Sequence, residues 1–171
     1  MAKKTKILII FLLIAGGIIA QPRQGMEADE IALPSVTGDT IKLSSLKGKV
    51  VLLDFWASWC GPCRTSNKSL VKLYAKYKSR GLEIFGVSLD DDADKWKKAI
   101  EKDKITWLQV NDPGSWRAKT AQQWDIHAIP TSYLIDKGGR LIEMDLEGKA
   151  LEKAIKNYCK KEEVISPFFV Y

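Results

Sequence analysis

The chain predicts an α/β fold in which one mixed β-sheet carries helices on both faces. Three observations lead there. The run Val50-Val51-Leu52-Leu53-Asp54-Phe55-Trp56 is almost unbroken in apolar, β-branched and aromatic residues, as a strand covered on both faces requires. Strand-like and helix-like segments alternate after it. The chain then closes on an antiparallel hairpin and a last helix, which makes the sheet mixed rather than all-parallel. At 171 residues one domain suffices, and it is large enough to bury a core without disulfide staples.

The first twenty residues read as an export signal. Lys3, Lys4 and Lys6 form a positive start, Ile7 to Ile19 carry no charge, and Ala20 precedes the polar Gln21-Pro22-Arg23-Gln24. A spanning helix needs about 20 apolar residues, so a cleaved signal peptide is favoured over a retained anchor. Ile18 stands where a smaller residue is usual before a cut, which keeps the anchor as the alternative. No cysteine lies near the end of the apolar run, which argues against a lipoprotein.

From residue 26 the elements follow in order. Met26 to Glu30 is a lead-in. Ile31-Ala32-Leu33-Pro34 and Thr40-Ile41-Lys42-Leu43 read as a hairpin around Val36-Thr37-Gly38-Asp39, with Ile41 and Leu43 supplying one buried face. Lys47-Gly48-Lys49 turns into the strand at 50–56. A helix follows from about Cys63 to Lys78, its Leu70, Leu73, Tyr74 and Tyr77 making an inward stripe, and Arg80-Gly81 ends it. Leu82 to Leu89 is the next strand. Asp90 to Lys104 starts with three aspartates, read as capping and solvation at a helix N-terminus, and continues as a helix with Trp96, Ala99 and Ile100 inside. Thr106 to Val110 is a short strand, and Asp112-Pro113-Gly114-Ser115 a turn and cap before a helix through Trp124. Thr131–Asp136 and Arg140–Met144, joined by Lys137-Gly138-Gly139, form the closing hairpin. The last helix runs from about Lys149 to Lys160. The domain thus spans 26–160, and 161–171, ending Pro167-Phe168-Phe169-Val170-Tyr171, is an apolar tail.

Hydrophobic residues at 46% and charged residues at 28% exclude a disordered or collagenous chain. The net charge of +6 includes the three leader lysines; without them 24 basic residues face 21 acidic ones. So small and dispersed an excess gives no case for nucleic acid as a partner.

Chemistry concentrates at Trp59-Cys60-Gly61-Pro62-Cys63, where a strand delivers two cysteines to the start of a helix. A free thiol has a pKa of about 8.5 and is a poor nucleophile, but unpaired N–H groups and partial positive charge at a helix N-terminus favour the thiolate. Cys60 occupies that place and is read as the attacking sulfur. Cys63, one turn deeper on the same face, is the resolving one. Pro62 costs nothing in a first helical turn and, with Gly61, stiffens the loop between the sulfurs. Asp54, a carboxylate inside an apolar strand beneath that helix, has its pKa raised by desolvation and is read as the proton acceptor for Cys63. Pro130 in Ile129-Pro130-Thr131 opens a strand; its bland reading is a trans proline. His127, the sole histidine, reads as a solvent-facing loop residue, and Cys159 as a small buried hydrophobe.

Asp54-Phe55-Trp56-Ala57-Ser58-Trp59-Cys60-Gly61-Pro62-Cys63 resembles the active-site signature of thioredoxin, and Ile129-Pro130-Thr131 resembles that family's cis-proline loop. The leading hairpin, the Lys47-Gly48-Lys49 turn and the helix between Asp90 and Lys104 resemble the TlpA/ResA-like branch of exported thiol-disulfide oxidoreductases. The resemblance covers about residues 26–158. It implies a thioredoxin-like fold with an extra N-terminal hairpin and an inserted helix, and a redox-active disulfide Cys60-Cys63 in place of any cofactor or metal. It also implies a cis Pro130 beside the cysteines, and a substrate groove bounded by Trp59, Gly61, Pro62, Ile129 and Pro130. One departure stands out: the lysine that thioredoxin places near its buried acid has no counterpart, since Gly86 aligns there.

The expected function is therefore that of an extracytoplasmic, periplasmic reductant of protein disulfides, fed by a membrane-embedded donor because no flavin or nicotinamide motif is present. Three rivals are weaker. A thiol peroxidase shares the fold and hairpin but needs a Pro-x-x-x-Thr-x-x-Cys pattern, which the segment before Cys60 does not supply. A zinc module would have to gather Cys60, Cys63, Cys159 and His127 from separate elements. A non-catalytic peptide clamp would keep its activity without Cys60.

Overall fold

The structure is a computed structural model that describes residues 24–160. The leader at 1–20 and the tail at 161–171 lie outside the described residues. Strands β1 (Ala32–Pro34) and β2 (Thr40–Lys42) form an antiparallel hairpin. They are followed by β3 (Val50–Trp56), α1 (Gly61–Tyr77), β4 (Leu82–Ser88), α2 (Ala93–Asp103), β5 (Leu108–Asn111), α3 (Lys119–Gln123), β6 (Thr131–Ile135), β7 (Leu141–Met144) and α4 (Gly148–Lys160). The main sheet has the order β5-β4-β3-β6-β7. β3 lies at its centre, parallel to β4 and antiparallel to β6, with Asp54 opposite Gly86 on one side and Ser132 on the other.

Every residue of β3 is buried, because each face of the sheet has its own cover. Val50, Leu52 and Trp56 point into a core shared with α1, α2 and α4, through Leu70, Tyr74, Trp96, Ala99, Leu151 and Ile155. Val51, Leu53 and Phe55 point the other way, into a core closed by Ile31, Leu43, Ala121 and Trp124. Burying each large side chain is worth about 1.5–3 kcal/mol, so truncating Leu53 to alanine costs roughly 2–5 kcal/mol.

Local differences from the sequence reading have local causes. Leu43 is buried, but it starts a 3₁₀ turn, Leu43–Leu46, instead of extending β2. The first long helix begins at Gly61, two residues earlier than expected, since Cys60 caps it. It tightens into a 3₁₀ turn at Lys78–Arg80 and stops at Gly81, whose φ of 90° is the left-handed geometry glycine tolerates. The expected helix through Trp124 is split into a 3₁₀ turn, Ser115–Arg117, and the short α3, because Ala118 between them leaves helical geometry at a ψ of 140°. No helix among the described residues is long and apolar enough to cross a membrane.

Candidate active site

The buried β3 ends at Trp56, and the chain turns through Ala57-Ser58-Trp59 to deliver Cys60 as the N-cap of α1. The Cys60 N–H donates to the Ala57 carbonyl at 3.1 Å, and the Cys63 N–H points at Cys60 Sγ at 3.1 Å. That sulfur therefore sits where the first turn's unpaired N–H groups converge. Cys60 and Cys63 are joined in a disulfide with Cα atoms 5.3 Å apart. Both are buried, Cys63 the more completely. Pro62 is in the first turn of α1, and a Cβ added at Gly61 would meet nothing. The Ile129–Pro130 peptide is cis, and the Ile129 carbonyl oxygen lies 3.6 Å from Cys60 Sγ. Trp59 stands exposed beside the pair.

Asp54 lies one turn of strand below. It is only 4% exposed, and burial pushes its carboxyl up to about 7 from an ordinary 3.8. No hydrogen bond reaches that carboxyl from any described residue. It borders a groove of about 920 Å³ that also touches Pro62, Ser66, Leu70, Pro130 and Ser132, so the acid meets solvent by the same opening that flanks the cysteine loop. On its other side, Gly86 leaves no vacant space for a cation. The Gln109 side chain crosses from β5, with Nε2 at 2.2 Å from where a Gly86 Cβ would be, and its Oε1 accepts from Trp56 Nε1 at 2.9 Å. A neutral amide thus occupies the flank of the acid, and the missing lysine is a filled position.

Several residues around the loop escaped the sequence reading. Asp90 is not solvated but 1% exposed, and its carboxylate accepts from Ser58 N at 2.8 Å, Ser58 Oγ at 2.5 Å and Ser88 Oγ at 2.7 Å. Of the three aspartates only Asp92 acts as the expected cap, accepting from Asp94 N and Lys95 N at 3.0 Å each. Asp91 accepts from Gly114 N at 2.6 Å. Arg64, in α1, donates to the Ser58 carbonyl at 3.2 Å and grips Asp103 with two nitrogens, while Asn67 donates to Asp103 at 3.0 Å. The bond to Asp103 raises the guanidinium pKa further; burial works against the Asp103 charge, yet Arg64 and Asn67 hold its pKa below the ordinary value. A signal for Asp90 was present: it follows an apolar strand directly, at the carboxyl end where α/β sheets build their sites.

The remaining candidates lie apart. His127 is exposed and contacts Asp125 at 2.7 Å. Cys159 is half-buried against the α1/α4 core, with its thiol pKa raised by burial. Among the described residues no group of three or more His, Cys, Asp or Glu side chains could hold a metal ion.

This geometry has counterparts. The sequence profile described as the AhpC/TSA family matches residues 24–144. A Bacillus cereus protein named thiol-disulfide oxidoreductase ResA is 30% identical over 173 residues, covering 93% of this chain and 98% of that protein. One of the same name from Bacillus thuringiensis subsp. konkukian is 32% identical over 137 residues, covering 80% and 77%. Among solved structures, the thioredoxin domain of a thiol-disulfide oxidoreductase from Bacteroides vulgatus superposes with a TM-score of 0.74 at 33% identity, covering 80% of this chain and 98% of that one. A thiol-disulfide oxidoreductase from Bacteroides fragilis gives a TM-score of 0.73 at 34% identity, covering 77% and 98%.

Proposed function

The chain belongs to the AhpC/TSA family and is a thiol-disulfide oxidoreductase of thioredoxin-like fold; on that premise we propose that it works outside the cytoplasm as a reductant of protein disulfides. The observation that carries this reading is the position of Cys60, capping α1 with the Cys63 N–H aimed at its sulfur. A thiolate there is stabilised by the helix terminus, which makes Cys60 the attacking sulfur; the reducing direction is proposed from Gly61-Pro62 between the sulfurs, which resembles the dipeptide of reducing members of the superfamily.

In the proposed cycle the Cys60 thiolate attacks one sulfur of a substrate disulfide. The substrate's S–S bond breaks, a Cys60–substrate disulfide forms, and the other substrate sulfur leaves as a thiolate that takes a proton from solvent. Asp54 then accepts the Cys63 proton through the groove beside Pro62, and the Cys63 thiolate displaces the substrate from Cys60. Two electrons have passed to substrate, and the Cys60–Cys63 disulfide remains. An external dithiol, proposed to belong to a membrane-embedded donor, reduces it by the same exchange in reverse. The cis Pro130 loop, Trp59, Gly61 and Ile129 would bound the surface on which the substrate backbone lies. The extracytoplasmic address, periplasmic in a two-membrane cell, rests on the lysine-led apolar leader at 1–20.

The test is direct. Cys60→Ser should abolish disulfide reduction, and Cys63→Ser should accumulate mixed disulfides with substrate proteins in intact cells, recovered from the extracytoplasmic fraction. A measured potential near that of glutathione pools or lower fits donation; one close to the strong oxidants overturns it. Retained activity in Cys60→Ser would sink the redox reading altogether.

A further inference from the structure

Tryptophan is costly to leave in water, and this chain buries it almost everywhere it can. Trp56, Trp96, Trp107 and Trp124 are all buried. Trp59 and Trp116 are not: they are 53% and 45% exposed. These two exceptions lie against each other, edge to face, with ring centroids 6.0 Å apart. Residues 57 sequence positions apart have thus been brought together at the surface, immediately before the attacking cysteine.

Both rings are mounted on fixed loops. The segment carrying Trp59 is pinned by Asp90, which takes both the N–H and the hydroxyl of Ser58, and by Arg64 on the Ser58 carbonyl. The segment carrying Trp116 is pinned by Asp91, which accepts from Gly114 N, and by a tight turn in which Arg117 N donates to the Gly114 carbonyl at 2.9 Å. Adjacent aspartates at the end of β4 therefore hold the two tryptophan loops, one each. The turn is irregular, with Ser115 at a φ of 52°. An aromatic ring buries roughly 150–250 Å² when covered, and among the described residues this pair stays 53% and 45% exposed.

We infer that Trp116, together with Trp59, forms an apolar docking platform that selects polypeptide substrates carrying an aromatic or branched aliphatic side chain close to the disulfide to be reduced. This deepens the reductant reading and rests on it. The platform adjoins Cys60 in the chain, while Cys60 Sγ itself touches the Ile129 carbonyl. Trp59 is the residue before Cys60 and its ring meets Trp116, and an extended substrate advances about 3.3 Å per residue, so the side chains that would reach the pair are those within a few positions of a half-cystine seated at Cys60. The platform carries no charge of its own. Its best partner is a side chain that gains from leaving water and from stacking on the rings.

The test uses the chain in its reduced form and two cystine peptides that differ only in Phe or Ser two residues from the half-cystine, on either side. The expected result is a preference of about tenfold in kcat/KM for the Phe peptide, expressed in KM. In Trp116→Ala that ratio falls to near one, and Trp116→Phe keeps most of it. A ratio near one in the unaltered protein overturns the platform. So does a tenfold ratio that survives Trp116→Ala, including the case in which both peptides slow equally because the loop has shifted. The small disulfide of 2-mercaptoethanol, too short to reach Trp116, separates the two failures. If the unaltered protein reduces it but shows no Phe preference, only the platform falls; if it reduces neither this nor the peptides, the redox reading falls too.

Discussion

Two buried carboxylates flank the cysteine loop, and they are dressed in opposite ways. Asp90, at the end of β4, is nearly inaccessible and takes hydrogen bonds from Ser58 and Ser88. Asp54, in the middle of β3, is as deeply placed and receives none from the described residues. A buried charge is tolerated when donors compensate it, and is pushed toward neutrality when they do not. Asp90 is therefore a strut: its partners are fixed groups, and it holds the backbone that presents Trp59 and Cys60. Asp54 is uncompensated, with its carboxyl raised to about 7 by burial, so it can take or release a proton at the pH where thiols react. The same residue type in one site is a fixed support where it is satisfied and is left able to exchange a proton where it is not.

The sharpest way to break this contrast is Asp90→Ala. It strands the part-buried Ser58 N–H and hydroxyl and the buried Ser88 hydroxyl, and hydrogen bonds to a charged acceptor are worth about 1.5–3 kcal/mol each; a loss of roughly 4 kcal/mol in unfolding free energy by urea titration is expected. A loss under about 1 kcal/mol would show that Ser58 needs no anchor.

Asp54→Asn should do the reverse. An acid whose folded pKa is raised binds more protons folded than unfolded between about 4 and about 7, so it lowers stability as pH rises through that window and by its full amount above it. The asparagine variant should match the parent near pH 4 and exceed it at pH 8, by an amount on the order of 4 kcal/mol, the full span from 3.8 to about 7. Release of substrate from Cys60 should meanwhile slow about 100-fold at pH 8, the scale of lost general-base catalysis, and lose its inflection near 7. Stopped-flow decay of a preformed mixed disulfide measures it. An unaltered inflection would assign the proton to another group.

Arg64→Gln tests whether the strut extends into α1. Asp103 would keep only Asn67, and with Arg64 partly solvent-facing the loss should be about 2 kcal/mol at pH 7. Because the pair holds the Asp103 pKa down, its contribution is present above the unfolded value and disappears as pH falls below about 4, where parent and variant should converge in urea midpoint. Parallel curves over pH 3–7 would mean that the effect is packing, not charge.

How much of this was readable in the residues follows from the range of the interactions. The strand at 50–56, the capping cysteine and the stranded acid Asp54 are all set within one strand-turn-helix unit, and local pattern exposes them. Pro130 needed the resemblance, since an X-Pro bond alone favours trans. Asp90 and Trp116 were opaque for a different reason. Asp90 looks like the first of three solvated aspartates until Ser58, 32 positions away, is brought to it. Trp116 looks like the first turn of a helix until its ring meets Trp59. Gln109 belongs with them: only the register Asp54, Gly86, Gln109 across three strands reveals that its amide fills the place of a missing side chain.

The smallest effect extends the contrast from acids to sulfurs. Cys60 is more buried than Cys159, yet Cys60 is the one with helix N–H groups around its sulfur, whereas Cys159 sits near the C-terminal end of α4. Burial raises a thiol's pKa and a helix N-terminus lowers it, while the opposite terminus offers a thiolate no such help. At Cys159 burial outweighs the nearby Lys137 and Arg80 charges, and its pKa is raised. Cys159→Ser should therefore leave the rate of disulfide reduction within twofold and cost no more than about 0.5 kcal/mol, as for a half-buried side chain replaced by one of similar size. Alkylation of the reduced protein near neutral pH, followed by peptide mass mapping, should label Cys60 well before Cys159. Equal labelling would mean that exposure, and not the helix terminus, governs which sulfur reacts.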